Sequence, residues 1–428
     1  MRTLRNQSIR LACSLVAVGT LAVATPAAAD VVTDWNALAV QFVNAAGRPP
    51  GASANLDLAM VHVAIHDAVQ AYQHRFRTYG PPVPGAGGSP IAAAAAAAHD
   101  MLVARFQIPS TNAGLIAQVD TAFTNYLTAK GLAINDAGVA VGQQAALNLV
   151  LKRANDGFFP ANPETFTGST EPGQWRPTPP AFAPMATPWL GNVTPFVLKD
   201  REGVLNEPDP PLLTSGRYAR DYNEVKAMGR RTGSARTPQQ TTMALFFSGN
   251  FQTILNGVLR SVATARLTDI GDSARLFALA LVSSADTGIN VWNNKRTYNF
   301  WRPSSAILNA AGDGNSATEP DAAWLPLIND PPYPDYTSGA NGNTGATVRA
   351  LQNFFGGDEW TFDATTNATE GGQPIAPRTY HRFSELADDV VEARILLGIH
   401  FRFADEVSRR QAKQVTDQVF AHAFRPLD

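Results

Sequence analysis

The sequence is almost free of cysteine and has few charged residues. Its single cysteine, Cys13, lies close to the N-terminus, and 16% of the 428 residues are charged. Such a chain can form no internal disulfide, and beyond residue 13 it offers no thiolate as nucleophile or metal ligand. The fold must therefore depend on its core, for which a hydrophobic content of 45% is sufficient.

The motifs of several common enzyme classes are also missing. The sequence contains no P-loop, no G-x-G-x-x-G after a strand, no G-x-S-x-G and no calcium loop, so nucleotide binding, a hydrolase triad and an EF-hand have no support. His62 and His66 share a helix face, but the surrounding run is apolar nearly all round and lacks the glutamate of H-E-x-x-H. We interpret them as residues of a buried helix rather than as a metal pair.

Residues 1–29 have the layout of a secretory signal peptide. Three arginines precede a short apolar run that ends in small residues of an A-x-A pattern, which predicts cleavage near Ala29 and export to the periplasm or out of the cell. Removal of these arginines, with no acidic residue, takes the formal net charge from −2 to −5, so nucleic acid is not indicated as a partner. No later stretch reaches the roughly 20 apolar residues that a membrane span requires.

Apolar residues recur at helical spacing through most of the chain, whereas alternating β-branched runs are almost absent. This periodicity predicts an all-α fold, a helical bundle, as a single domain over residues 30–428. The main interruption is 157–215, whose frequent prolines exclude a helix or a central strand. Because this segment also carries several Phe and Trp residues, which are unusual in a solvated linker, we expect an ordered arm laid over the helices.

Two cations stand out in the stretch "NNKRTYNFWRP". Lys295 and Arg302 are seven residues apart with a proline directly after the arginine. Seven residues are close to two helical turns, so on a continuing helix both side chains would leave one face roughly 10 Å apart. Two long cations on one face without an acid between them predict an anionic ligand.

Two further stretches have features of an anion site. In "PPYPDYTSGANGN", Ser338 can cap a helix that starts near Gly339, and free N–H groups at a helix start bind oxyanions. In "EARILLGIHFRFAD", Arg394 and His400 are six residues apart, about 120° around an ideal helix. The latter pair can meet one ligand only if the helix ends or bends near Gly398.

Together these stretches resemble the signature of the superfamily that contains vanadium-dependent haloperoxidases and type 2 phosphatidic acid phosphatases: K-x6-RP, PSGH and R-x5-H. The stretches "MVHVAIHDAVQAY", "GQWRPTPPAF", "NVTPF" and "GIHFRFAD" are similar to the exported bacterial branch that is labelled haloperoxidase, so the resemblance covers nearly the whole chain after residue 29. It implies an all-α bundle with one pocket for vanadate or phosphate, and it is compatible with a homodimer.

The resemblance also implies which residues hold the anion: Lys295, Arg302, Ser338, Gly339, Arg394 and His400. The three cations would neutralise the equatorial oxygens, and the hydroxyl and the glycine N–H would donate hydrogen bonds. The histidine would bond the vanadium of vanadate or attack the phosphorus of a phosphoester. Trp292 and Tyr333 match aromatic positions beside the halide, and Asn341 is a further hydrogen-bond donor close to the motif.

One motif residue is missing. Where the family has PSGH, this chain has Thr337-Ser338-Gly339-Ala340, so the histidine that protonates the leaving group in the phosphatases and assists peroxide deprotonation in the peroxidases is absent. General acid–base catalysis contributes roughly 10²–10⁴-fold. Either activity would therefore be weakened while anion binding remained. Three nearby ionisable residues are candidates for a substitute: Asp335, Tyr336 and His381.

The resemblance favours a vanadate-dependent haloperoxidase that uses hydrogen peroxide to oxidise halide and acts on a small organic substrate. One alternative is an acid phosphatase that hydrolyses phosphomonoesters through a phosphohistidine. The other is a non-catalytic oxyanion-binding protein that has lost the motif histidine.

Overall fold

The computed structural model describes residues 30–49, 51–84, 87–198 and 208–427, so the predicted signal peptide lies outside the described residues. Over these ranges the chain is predominantly helical, with thirteen α-helices. They are α1 Val31–Ala45, α2 Ser53–Gln73, α3 Pro90–Arg105, α4 Ala113–Ala129, α5 Ala137–Lys152, α6 Gly216–Met228, α7 Pro238–Phe246, α8 Phe251–Arg266, α9 Ile270–Tyr298, α10 Pro303–Asn309, α11 Gly339–Phe355, α12 Phe383–Leu396 and α13 Arg402–His422. The predicted all-α class is confirmed. None of the helices described is both long and apolar enough to cross a membrane.

The 29-residue helix α9 lies at the centre of the bundle. It packs against α2, α11 and α13, and its residues are buried almost without interruption from Leu276 to Trp292. Asp269 caps its first turn by accepting hydrogen bonds from the N–H groups of Gly271 and Asp272. A helix that is buried all round is fixed by its neighbours, so the residues at its C-terminal end are held in a rigid position.

The alanine-rich helix α3 packs against α5 at short range. Ala92–Ala98 are all fully buried, and a Cβ atom at Gly142 of α5 would lie 2.1 Å from the carbonyl oxygen of Ala93. The small side chains on both helices therefore permit a close approach of their backbones.

The proline-rich arm, residues 157–198 and 208–215 as described, lies on the helices and contains a short 3-10 helix at Pro188–Asn192. Its Trp175 and Trp189 are buried. The Asp286 carboxylate of α9 accepts hydrogen bonds from the backbone N–H groups of Phe196, Val197 and Leu198 at 2.6, 2.9 and 3.2 Å. The arm is thus tied to the central helix, as expected from its aromatic content.

Two small antiparallel sheets were not predicted. Strand β1, Glu359–Ala364, pairs with β4, Arg378–Arg382, and β2, Thr369–Glu370, pairs with β3, Gln373–Pro374. The helical spacing of apolar residues that runs through most of the chain therefore does not hold at Arg378–Arg382, which precede α12 as a strand. Strand pairing is favoured there because Phe362 and Tyr380 stack across the strands with ring centroids 5.5 Å apart.

We expect Asp286→Ala to lower the free energy of unfolding by about 3 kcal/mol, because hydrogen bonds to a charged group are worth 1.5–3 kcal/mol and the buried N–H groups would lose their acceptor. Urea denaturation followed by circular dichroism measures the change. The control is Asp388→Ala, which removes an exposed ion pair with Arg409 and should change stability by less than about 1 kcal/mol. Equal effects of both substitutions would contradict the anchoring role of Asp286.

Candidate oxyanion site

Lys295 and Arg302 do not lie on one continuing helix. Helix α9 ends at Tyr298, and Asn299 follows in the left-handed region with φ of 45°. Arg302 is the extended residue that precedes α10. Both side chains nevertheless reach the same loop, because Lys295 Nζ donates to the carbonyl oxygens of residues 334 and 335 and Arg302 Nε donates to that of residue 333.

Lys295 is completely buried. Its Nζ donates hydrogen bonds to Pro334 O at 2.7 Å and to Asp335 O at 2.9 Å. Burial lowers the pKa of Lys295 well below its ordinary value, and the charge of Arg302 lowers it further. An anion in contact with this amine would raise the pKa again, because it would favour the charged form.

Two guanidinium groups keep buried N–H donors without partners among the described residues. Arg302 donates from Nε to Tyr333 O at 2.8 Å and from Nη1 to Ile399 O at 2.7 Å, whereas Nη2 has no acceptor. Arg394 donates from Nη1 to Phe247 O at 3.1 Å, whereas Nε has no acceptor. Buried donors are nearly always paired, so unpaired N–H groups on two charged side chains are suited to the oxygens of an anion.

A turn at Gly398 brings Arg394 and His400 to one pocket. Helix α12 ends at Leu396, and Gly398 has φ of +81°, a conformation that glycine adopts without strain. A side chain at this position would also clash, since a Cβ atom would lie 2.5 Å from Gly229 O. The break that the six-residue spacing requires is therefore present.

His400 is held between a carboxylate and a guanidinium. Its Nδ1 lies 2.6 Å from Asp335 Oδ1, and its Nε2 lies 3.2 Å from Arg302 Nη1. Burial, followed by the positive charges of Arg302, Lys295 and Arg394, lowers the pKa of His400 well below its ordinary value. The imidazole is therefore neutral. If Nδ1, the ring nitrogen beside the carboxylate, carries the proton, the lone pair is on Nε2, which can bind a metal or attack phosphorus.

The start of α11 contributes backbone donors. Ser338 is the N-cap, and its hydroxyl accepts the N–H of Asn341 at 3.4 Å. The next two residues, Gly339 and Ala340, occupy the first helical turn, where N–H groups have no acceptor within the helix. Both residues line the pocket. N–H groups at a helix start can bind an oxyanion, and the role of Gly339 in such binding stays a prediction.

Asn341 faces a buried acid that sequence reasoning missed. Its Nδ2 donates to Asp405 Oδ1 at 2.8 Å. Burial raises the pKa of Asp405 well above its ordinary value, although its interaction with the Ser338 hydroxyl partly opposes the shift. Asp405 therefore supports Ser338 and Asn341 from behind. Asp405 is the last residue of the stretch "GIHFRFAD", whose resemblance to the bacterial branch could have drawn attention to it.

These residues surround a pocket of about 150 Å³. Its walls include six residues of the analysed stretches: Trp292, Tyr333, Gly339, Ala340, Arg394 and His400. The pocket is also lined by Phe251 and by the amide side chains of Asn55, Gln252 and Asn343. Lys295, Arg302 and Ser338 are fully buried and are not part of the wall. The rings of Trp292 and Tyr333 are adjacent, with centroids 5.1 Å apart.

Three residues considered for a role lie elsewhere. His381 is exposed on β4, where its Nδ1 lies 3.1 Å from Thr361 Oγ1. The Tyr336 hydroxyl donates to Pro208 O. His62 is buried against Asn36, and no group of three metal-ligating His, Cys, Asp or Glu residues occurs among the residues described. The interpretation of His62 as a core residue agrees with this position.

Comparisons with known proteins show which families and structures this chain is similar to. Residues 275–428 match the family model described as the VCPO second helical-bundle domain. Vanadium chloroperoxidase of Curvularia inaequalis is 25% identical over 293 residues. That match covers 53% of this chain and 47% of the relative, so it spans about half the length of each protein.

Solved structures show the same fold. A bacterial vanadium-dependent iodoperoxidase superposes with a TM-score of 0.78 at 22% identity, covering 94% of this chain and 99% of that one. The holo form of a bacterial vanadium-dependent chloroperoxidase gives a TM-score of 0.67 at 16% identity, covering 86% and 91%. The protein is therefore a helical bundle of the vanadium haloperoxidase type. The superfamily predicted from the three motifs is confirmed by the family model and the curated relative.

The pKa of Asp335 gives a prediction for stability. Burial raises this pKa from 3.8 to about 7, against the opposing effects of Arg302 and Lys295. Because the folded state holds the Asp335 proton more tightly than the unfolded state, protonated Asp335 contributes to the free energy of unfolding. This contribution is fully present below the unfolded pKa of 3.8 and is lost as the pH rises to about 7.

We therefore expect the stability advantage of the wild type over Asp335→Asn to shrink between pH 5 and pH 8, because the neutral amide has no charge to bury. Urea denaturation of both proteins at the two pH values provides the measurement. An advantage that grows with pH would show instead that attraction to Arg302 and Lys295 outweighs burial.

Proposed function

We propose that this protein is a vanadate-dependent haloperoxidase that oxidises halide with hydrogen peroxide. The observation that carries the proposal is the pair of unpaired guanidinium donors, Arg302 Nη2 and Arg394 Nε, beside a neutral His400. This set of donors suits a tetrahedral oxyanion, and a neutral imidazole that can present Nε2 as a ligand suits the vanadium of vanadate in particular.

Each residue has a distinct task in this proposal. Lys295, Arg302 and Arg394 bind and neutralise the oxyanion, and Ser338 with the Gly339 N–H adds hydrogen bonds. His400 holds the metal through Nε2, and Asp335 fixes its orientation. When bound, vanadate supplies Lewis-acid activation of hydrogen peroxide toward halide.

The pocket wall also suits the other reactants. Trp292 and Tyr333 provide aromatic surface beside the anion position, where a weakly hydrated halide can lie, and the pocket is sufficient for a small organic substrate. Residues 1–29 support export of the protein. A single domain over 30–428 and a homodimer remain predictions from the sequence.

An acid phosphatase is the second candidate, because phosphate fits the same donors and His400 Nε2 could attack phosphorus. Phosphoester cleavage depends more on a proton for the leaving group than peroxide activation does, and Ala340 supplies none. This comparison favours the peroxidase. A non-catalytic protein would bind the oxyanion and catalyse neither reaction.

We expect orthovanadate to bind the wild type and to bind His400→Ala at least about tenfold more weakly, since loss of an orienting or ligating histidine typically costs 10–100-fold in metal affinity. Isothermal titration calorimetry measures both affinities. His381→Ala, which alters an exposed histidine on β4, should bind as the wild type does. No vanadate binding by the wild type, or equal binding by His400→Ala, would refute the site.

Activity assays separate the three candidates. We expect the vanadate-loaded protein to brominate a phenol-red-type dye with hydrogen peroxide and bromide, and Arg302→Ala to lose this activity because a buried anion ligand is removed. Hydrolysis of an aryl phosphate by the vanadate-free protein, with inhibition by vanadate, would instead establish the phosphatase. A protein that binds vanadate but catalyses neither reaction would be an oxyanion-binding protein.

A further inference from the structure

Ala340 offers no proton, so any group that transfers protons in this pocket lies at another position. Among the described residues that line it, only Tyr333, Arg394 and His400 carry a titratable group. Arg394 is a cation that anchors the anion, and His400 must offer a lone pair rather than a proton. Asp335 and Asp405 are fully buried and are not part of the wall. Tyr333 is left as the residue of the pocket wall that carries an O–H.

The Tyr333 ring is held firmly. Lys295 Nζ lies 5.0 Å and Arg302 Cζ lies 4.9 Å from its centroid, and the Trp292 ring is adjacent. Its backbone is fixed as well, because its N–H donates to Pro331 O at 2.8 Å and its carbonyl oxygen accepts from Arg302 Nε. Cation–π contacts of this kind fix the orientation of an aromatic side chain.

The phenol itself is free to act. Its hydroxyl makes no hydrogen bond to any part of the chain that the structure describes, although the residue is half-buried. Tyr333 lines the same pocket as Arg394 and His400. It therefore shares a pocket wall with a guanidinium whose Nε has no partner among the described residues.

We propose that Tyr333 is a catalytic proton donor and acceptor that takes the place of the missing motif histidine. This inference rests on the proposed function. The phenol would give one proton to a hydroxide that leaves the bound oxyanion as water, and would take one proton from the hydrogen peroxide that replaces it. One bond to the central atom of the oxyanion would break, one would form, and no net proton would be consumed.

A binding experiment tests the contact without turnover. Inorganic phosphate is the probe because it fills an oxyanion site and does not absorb in the near ultraviolet. We expect phosphate to produce a tyrosine difference spectrum in the wild type and in the control Tyr72→Phe, whose lost hydroxyl donates to Gly87 O. In Tyr333→Phe the tyrosine signal should disappear while phosphate affinity falls by less than about tenfold, the loss expected for one hydrogen bond.

Turnover tests the proton transfer. We expect Tyr333→Phe to lower kcat by about 10²-fold, within the range of general acid–base catalysis. Adding Ala340→His to Tyr333→Phe should then raise kcat again by at least about tenfold. The rescue is specific, because a merely structural defect at position 333 would not be repaired by an imidazole at position 340. Phosphate binding by each variant reports that it is folded.

The outcomes separate this inference from the function on which it rests. A wild type that binds neither phosphate nor vanadate would overturn the proposed function. A wild type that binds and turns over, with Tyr333→Phe equally fast or spectroscopically unchanged, would overturn only the role of Tyr333. Complete loss of phosphate binding in Tyr333→Phe would also overturn it, because the residue would then be needed for the site rather than for the proton.

Discussion

Three cationic side chains buried close together are the constraint on which this structure depends. Lys295, Arg302 and Arg394 repel one another. Burial also disfavours the charged forms of Lys295 and Arg394, because it lowers the pKa of each. Backbone carbonyl groups from three separate segments hold them in place. The nearby acids do not balance the charge, because burial raises the pKa of Asp335 to about 7 and that of Asp405 well above its ordinary value. In the proposed function, an oxyanion would offset this excess of positive charge.

The architecture is arranged so that these cations cannot move apart. The central helix α9 is packed on all sides and ends three residues after Lys295. The proline-rich arm is tied to the same helix by Asp286, and Trp292 Nε1 donates to Ala186 O of the arm at 3.1 Å. The left-handed turn at Gly398 directs His400 back toward the pocket. Preorganised donors of this kind bind an anion without reorganisation of the protein.

Replacement of the motif histidine by Ala340 separates two tasks that one pocket normally combines. Holding the oxyanion needs fixed positive charge and N–H groups, and all of these are present. Moving a proton needs a group that can lose and regain one at the pocket wall, and the wall offers a phenol for that task. Under the proposed function, an altered PSGH motif is therefore compatible with binding of the anion.

The sequence by itself determined the class of fold, the superfamily and the set of candidate anion ligands, because helical periodicity and motif spacing are local properties of the chain. It was wrong about the path between Lys295 and Arg302, which do not share a helix, and it missed the small sheets and Asp405. Only the tertiary structure decided which acid meets which ligand. Asp335 faces His400 and Asn341 faces Asp405 across 65 and 64 positions of sequence, respectively. Such contacts depend on how the helices pack, and no pattern within one helix contains that information.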